Sequence, residues 1–319
     1  MDIKRTSGKR VSARQRDSFI AQSNQTTIRK PWKSLATVVF GLLLSVPGLT
    51  QAQYNFTTFD VPNATATSVN GNSTNAIAGD FDDAAGLHGF VLSKGTFTKI
   101  DVPDALDPGV FATSVNGINA PGQLAGTYSV GSTNHAFFDN NGNFIKLDPA
   151  NVKSQGGFIN AKGQVVGTYR DSSQYRHGFI WLNGNFTTFN VPGDARPLGT
   201  VAFGINDIGA VVGDYVAASD GNRHGFLRCS KGDFKTFDVP GADITIGEGI
   251  NNAGAIVGAY IADGTIHGFV SNNGVVFTTV DVPDSKETQI FSINAIGEIV
   301  GEYVDSTDVQ HGFIGVPSH

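Results

Sequence analysis

Cysteine occurs once, as Cys229. An intrachain disulfide framework and any cysteine-cluster metal site are therefore excluded. Charge is scarce: 16% of the 319 residues are Asp, Glu, Lys or Arg, against about 25% in ordinary globular chains. Strong helix formers are few, which argues against a helical protein. No Gly-x-Ser-x-Gly occurs, so the nucleophile elbow of the serine hydrolases is missing. No Arg-Arg pair marks a twin-arginine route. No hydrophobic tail follows Gly312-Phe313, so a second anchor is not expected. What the chain has instead is 40 Gly and 23 Phe, with much Thr, Asn and Val. That mixture belongs to strands and turns, and it excludes a disordered chain, which lacks aromatic and β-branched residues.

The first fifty-two residues differ from the rest. Residues 1–33 hold nine of the 22 basic side chains and only Asp2 and Asp17 among the 28 acids, a local charge of +7. An apolar run, Leu35 to Thr50, follows and leads to Gln51-Ala52-Gln53. A basic stretch, a short apolar core and small residues at Thr50 and Ala52 read as a secretory signal peptide cleaved after Ala52. The alternative is an uncleaved signal anchor, which the long basic stretch would suit, but the core is interrupted by Pro47 and is short for a membrane span of about 20 residues. The expected product is a single secreted domain, 53–319, extracellular or periplasmic. Its 13 basic and 26 acidic side chains give a net charge of −13. Nucleic acid is excluded as a partner, and so is an anionic membrane surface, since both need a basic face.

Repeats govern the remainder. His-Gly-Phe or His-Ala-Phe recurs at His88, His135, His177, His224, His267 and His311, spaced 42 to 47 residues apart. Upstream of each stands a segment ending in Gly and an aromatic, such as AVVGDY (210–215) and EIVGEY (298–303). Seven residues before each such Gly is an Asn: Asn72, Asn119, Asn160, Asn206, Asn251 or Asn294. Three residues after that Asn comes a Gly, replaced in the first repeat by Asn75. Asn-x-x-Gly predicts a hairpin whose last loop position takes a positive φ, with Asn75 the substitute that tolerates it. A second hairpin signal, such as Asn183-Gly184 or Asn273-Gly274, leads into segments like FTTFNVP (186–192). Each repeat thus reads as four strands: A before the Asn, B ending at the aromatic, C at His-Gly-Phe and D ending at Pro.

Strand B carries adjacent apolar pairs, Ile256-Val257 and Ile299-Val300, that point to opposite faces. Such sheets are covered on both sides. Strand D, with Thr, Lys and a terminal Pro, reads as an outer edge. Four-stranded antiparallel sheets repeated every 40–50 residues predict an all-β, six-bladed β-propeller. The phase of the ends predicts its closure. An isolated D strand, FTTFDVP (56–62), precedes the first repeat, and the sixth repeat stops after strand C at 311–315. The N-terminal strand would complete the last blade, leaving a closed, monomeric ring.

The His-Gly/Ala-Phe core, the Ile-Asn-x-x-Gly hairpin and the signal peptide resemble the HAF family of extracellular repeats, known in bacteria. The resemblance covers 54–319. It implies export and a repeat domain, and it brings no activity, cofactor or catalytic residue. Two places depart from the pattern: Asp148-Pro149 lacks the usual Val, and Ala136 replaces the Gly of the motif.

Six histidines at one repeated position are expected to be structural, each hydrogen-bonded within its own blade, and sixfold symmetry keeps them too far apart for one metal centre. The residues after the strand-B Gly are Asp80, Asp214 and Glu302, but also Thr127, Thr168 and Ala259, so no fixed His–carboxylate pair is legible there. Catalytic and metal residues are assigned none. Two acidic runs, Asp80 to Asp83 and Asp305 to Asp308, offer oxygens that Ca²⁺ would accept, but without EF-hand spacing, so solvated loop acids are the preferred reading and no cofactor is expected. The A–B and C–D turns are short and share one face. The B–C and D–A loops are expected to be long and varied, and they share the other face. Variable loops on a rigid scaffold are where binding concentrates. Candidate ligand residues there are Asp82, Asp83, Tyr175, Arg176, Asp220 and Arg223. Arg176 and Arg223 precede His in neighbouring blades, a pair suited to a carboxylate or sulfate. The leading function is a non-catalytic module binding a glycan or protein. The alternatives are a polysaccharide hydrolase or lyase, needing acids that converge at the axis, and a structural surface or matrix protein.

Overall fold

The computed structural model describes residues 54–318 apart from 105, 150 and 151. The leader and signal peptide expected over 1–52 lie outside the described residues. Those described form strands throughout, with no α-helix. After an opening strand β1 (Tyr54–Phe59), the first repeat gives β2 (Ala66–Asn72), β3 (Ala76–Asp82), β4 (Leu87–Ser93) and β5 (Thr96–Ile100). The second gives β6 (Val110–Ile118), β7 (Leu124–Val130), β8 (Thr133–Asn140) and β9 (Asn143–Lys146). Then come β10 (Ser154–Ile159), β11 (Val165–Arg170), β12 (Arg176–Leu182) and β13 (Asn185–Phe189). The fourth set is β14 (Thr200–Ile205), β15 (Val211–Val216), β16 (Arg223–Arg228) and β17 (Phe234–Phe237). The fifth is β18 (Ile244–Ile250), β19 (Ala255–Ala262), β20 (Thr265–Asn272) and β21 (Val276–Thr279). Last are β22 (Glu287–Ile293), β23 (Ile299–Val304) and β24 (Gln310–Pro317).

Three sheets run in simple chain order: β10 to β13, β14 to β17 and β18 to β21. The first two repeats join into one eight-stranded sheet through a single parallel pairing, Leu87 with Ala112. The remaining sheet has the order β1-β24-β23-β22, with Thr57 opposite Ile314. All pairings within the four-stranded groups are antiparallel. The first strands of successive repeats lie beside one another, and β22 lies beside β2.

The repeated Gly and Phe explain each other. Gly79, Gly126, Gly167, Gly213, Gly258 and Gly301 sit in the second strand of each set. A Cβ added to any of them would meet a carbonyl oxygen of the first strand and the ring of the motif Phe in the third. Those rings, Phe90, Phe137, Phe179, Phe226, Phe269 and Phe313, are fully buried. Each therefore occupies room that only glycine leaves. Burying one such ring contributes about 2 kcal/mol.

Every first strand also carries a bulge. The extra residues are Asn70, Asn116, Phe203, Glu248 and Phe291, with Gly157-Phe158 at the corresponding place in β10. A bulge bends its strand and strengthens its twist. Phe158 and Phe291, from distant sheets, belong to one buried apolar cluster with Ala202 and Val211.

The hairpins behave as their sequence predicts in five repeats. Gly122, Gly163, Gly209, Gly254 and Gly297 all take positive φ. The preceding Asn caps the turn: Asn206 Oδ1 accepts from Ala210 N at 2.9 Å, and Asn251 Oδ1 from Ala255 N at 3.0 Å. Its amide reaches to the next repeat, Asn160 Nδ2 to Asn206 O at 2.9 Å and Asn206 Nδ2 to Asn251 O at 3.1 Å. The first repeat is a correction. Asn75 does not take a positive φ. Ser73 N donates to Ala76 O at 2.9 Å, closing a shorter loop in which that conformation is not needed.

A threonine staple links the end of each outer strand to the next repeat. Val61 N donates to Thr67 Oγ1, Val102 N to Thr113 Oγ1, and Val239 N to Thr245 Oγ1, each at 3.0 Å. Val191 with Thr200 and Val282 with Thr288 repeat it at 2.9 and 3.0 Å. The departure at Asp148-Pro149 is where the staple changes. Ser154 stands in for threonine, accepting from Ala136 N and donating to Leu147 O, both at 2.8 Å. Ser154 thus bridges the two places, through the Ala136 backbone N–H and the Leu147 carbonyl.

Candidate functional site

The repeat histidines stand at the start of each third strand, on the face where the B–C and D–A loops emerge. Every one has a carboxylate or amide partner on Nδ1, from the Asp or Asn just before Val-Pro or its equivalent. His88 pairs with Asp101 at 2.8 Å, His135 with Asp148 at 2.7 Å, His267 with Asp281 at 2.8 Å and His224 with Asp238 at 2.9 Å. His177 donates to Asn190 Oδ1 at 3.0 Å. His311 donates to Asp60, which follows the opening strand, at 2.9 Å. The expectation that no His–carboxylate pair runs through the repeats is therefore corrected. The partner lies just past the end of the fourth strand, not on the second, and one instance is an amide. Each imidazole also packs on the aromatic ending the second strand. Tyr169 and Tyr303 stack at centroid distances of 5.0 and 5.1 Å, and Phe81, Tyr128, Tyr215 and Tyr260 occupy the same place.

The other ring nitrogen divides the repeats into two kinds. In four of them Nε2 faces a second acid from the B–C loop. Asp171 is 3.1 Å from His177, Asp220 3.1 Å from His224, Asp83 3.4 Å from His88 and Asp305 3.4 Å from His311. These acids also cap their loops. Asp171 Oδ1 accepts from Ser173 N and Tyr175 N at 2.8 and 2.9 Å, and Asp305 Oδ1 from Thr307 N and Val309 N at 2.8 Å. Asp83 Oδ1 takes Ala85 N and Gly86 N, and Asp220 Oδ1 takes Asn222 N. The remaining two B–C connections are not long, which corrects the sequence expectation. Val130 pairs with Thr133, and Ala262 with Thr265, across two-residue turns. Gly131, Asp263 and Gly264 supply the positive φ values those turns require.

The electrostatics follow from these contacts. The Val309 backbone N–H, helped by Thr307 and His311, holds the Asp305 carboxyl down at about 2. Backbone donors likewise lower Asp83, Asp171 and Asp220, chiefly Ala85, Tyr175 and Asn222. Burial pulls the His224 imidazolium down, but its hydrogen bonds to Asp238 and Asp220 outweigh that and leave its pKa raised.

The other sequence candidates fall into separate places. Asp82 is half-buried at the end of β3, opposite Ala66. Tyr175 packs under the Arg196 guanidinium, 5.5 Å from its ring centroid. Arg176 and Arg223 are not on an open surface: both are buried, and both act on an acid of the chain itself. Arg223 Nη1 lies 3.4 Å from Asp214 Oδ2. Asp214 is fully enclosed, and burial raises its carboxyl pKa against the pull of the two arginines. The acidic runs considered for Ca²⁺ are divided as well. Asp80 is buried and accepts from Asn70 Nδ2 at 2.7 Å, whereas Asp83 belongs to the loop clamp. Among the described residues no group of three or more His, Cys, Asp or Glu is placed to hold a metal ion. Glu248 and Glu302 are buried too, taking amide donors from Gln289 at 3.2 Å and Gln310 at 2.8 Å.

No known protein family matches the chain, and no curated protein matches it. Among solved structures, AofleA from Arthrobotrys oligospora is 15% identical, covering 83% of this chain and 86% of that one with a TM-score of 0.50. A mutant of the Aleuria aurantia lectin in complex with α-methyl-L-fucoside is 13% identical over 81% of this chain and 93% of that one, TM-score 0.49. A streptogramin B lyase is 12% identical over 82% and 87%, TM-score 0.48. At these identities the likeness concerns the fold alone, which is all-β and β-propeller-like.

Proposed function

We propose that the chain is an exported, six-bladed β-propeller of HAF type, a non-catalytic module that binds a glycan or protein through its B–C/D–A face. The closed ring is supported by the pairing of β1 with β24, by the bond from His311 to Asp60, and by β22 lying beside β2. Export and a single domain over 53–319 rest on the basic and apolar leader read from the sequence. The observation that carries the binding reading is the division of labour between positions. The repeated Asn, Gly, Phe and Thr hold the ring, while the departures from the repeat gather in loops on one face. Four of those loops are fastened by His and Asp, so they are presented as ordered surfaces and can bind with little loss of conformational entropy.

The hydrolase or lyase alternative needs acids that reach a substrate. Asp214, Glu248 and Glu302 are each no more than 2% exposed, and the apolar rings of Phe158 and Phe291 meet in one cluster. That enclosure favours binding over catalysis. The test is a screen of the purified protein against immobilised glycans and against extracellular proteins. Retention that is lost when the B–C loops at 171–175 and 217–222 are exchanged for two-residue turns supports the proposal. Retention indifferent to those loops, or none at all, removes it.

A further inference from the structure

The histidines are not all wired alike, and the difference tracks loop length. In the two repeats with two-residue B–C turns, His135 and His267 have a single acid, on Nδ1. In the four repeats with longer loops both ring nitrogens have a partner: two carboxylates for His88, His224 and His311, and one carboxylate with the Asn190 amide for His177. A carboxylate can only accept, so both nitrogens must carry hydrogen for both contacts to be attractive. A neutral imidazole has one N–H. When Nδ1 keeps it, the Nε2 lone pair faces the loop carboxylate and the contact turns repulsive.

We propose that His88, His224 and His311 are proton-operated clasps: protonated, each ties its B–C loop to the end of the outer strand, and deprotonated it releases the loop. His177 is the exception, because the Asn190 amide can turn to donate to Nδ1 while a neutral ring keeps its N–H on Asp171. The groups facing each ring are few. His88 bonds Asp101 through Nδ1, and its Nε2 lies 3.4 Å from Asp83 as an ion-pair contact without a hydrogen bond; Phe81 packs against the ring and Lys99 Nζ is 3.3 Å from Asp101. His177 meets Asp171 and Asn190, with Tyr169 stacked on it. His224 meets Asp220, Asp238 and Tyr215. His311 meets Asp60, Asp305 and Tyr303, whose hydroxyl bonds Thr58 Oγ1 at 2.9 Å. Backbone donors hold the loop carboxylates Asp83, Asp220 and Asp305 low, so the histidine proton is the variable that changes. Release leaves the loop with its backbone caps but without its tie to the strand. The device is independent of what the face binds, so its failure and the failure of the binding reading are distinguishable.

Hydrogen exchange of the full protein tests it, comparing loops at about pH 5.5 and about pH 8.5, either side of the ordinary imidazole value of ~6.5, with intrinsic rates corrected. Segments 217–222 and 305–309 should lose about tenfold in protection at the higher pH, the scale of one charge-assisted hydrogen bond, and 83–86, held by an ion-pair contact alone, should lose less. Loop 171–175 and the turns at 131–132 and 263–264 serve as internal controls and should not change. In Asp220→Asn the amide can donate to a neutral Nε2, so loop 217–222 should become insensitive to pH while the other two keep their response. Equal pH response in all six connections, no response in any, or an unaltered response of 217–222 in Asp220→Asn overturns the proposal. Exchange at β15 and β16 reports whether that variant is folded, and the wild-type comparison decides the matter if it is not.

Discussion

At Gly213 there is no room for a methyl group: it would press against Val201 O and the Phe226 ring. Gly213→Ala is expected to cost about 1–3 kcal/mol or more, because backbone and a fully buried ring must both shift. Denaturant midpoints would show it, with exposed Gly142→Ala strained only by its positive φ. Thr245 gives a second residue-scale test. Thr245→Val keeps the shape but leaves Val239 N without its acceptor, a loss of about 1–3 kcal/mol. The loop acids set the acid limit. Asp83, Asp171, Asp220 and Asp305 have lowered pKa values, so their contribution is complete above the unfolded value of ~3.9 and fades as pH falls through the folded ones. His224 works in the opposite sense. Its pKa is raised, so its contribution is complete below ~6.5 and is lost as pH rises through the folded value. Loop order should therefore peak between those limits, as exchange across pH would record. The histidine partner was open to reading from the residues, since an Asp or Asn follows each of the first five histidines by 13 or 14 residues. Asn190 in one repeat, and Asp60 lying far upstream of His311, obscured the regularity.

At the scale of the element, strands and turns were legible because their punctuation is local. Asn-x-x-Gly announced the hairpins, and the structure adds that the Asn amide ties each turn to the next. Asn206→Ala removes both the cap to Ala210 N and the link to Asn251 O. A loss of about 2 kcal/mol is expected, with faster exchange at Ala210 and at the neighbouring turn. The bulges were not legible. An extra residue such as Glu248 shows only when β18 is paired against β19. The fate of Arg176 and Arg223 was hidden for a related reason. Their spacing showed that they occupy like positions, but only packing shows that Asp214 is the charge they meet.

At the scale of the whole molecule, the account depends on an N-terminal strand completing the last sheet. Phase alone suggested it from the sequence, and the register of β1 on β24 supports it, with Phe56 opposite Gly315 and Phe59 opposite Gly312. Phe56 also packs edge-on against Phe313, ring centroids 5.5 Å apart, so the strand contributes to the apolar core as well as to the ladder. The proposed ring, fastened this way, should open only with global unfolding. Native-state hydrogen exchange at the β1 and β24 amides measures this directly. Closure predicts that both strands exchange with the same free energy and denaturant dependence as β22 and β23. Exchange of β1 by a separate, low-energy opening while the other strands stay protected would contradict it.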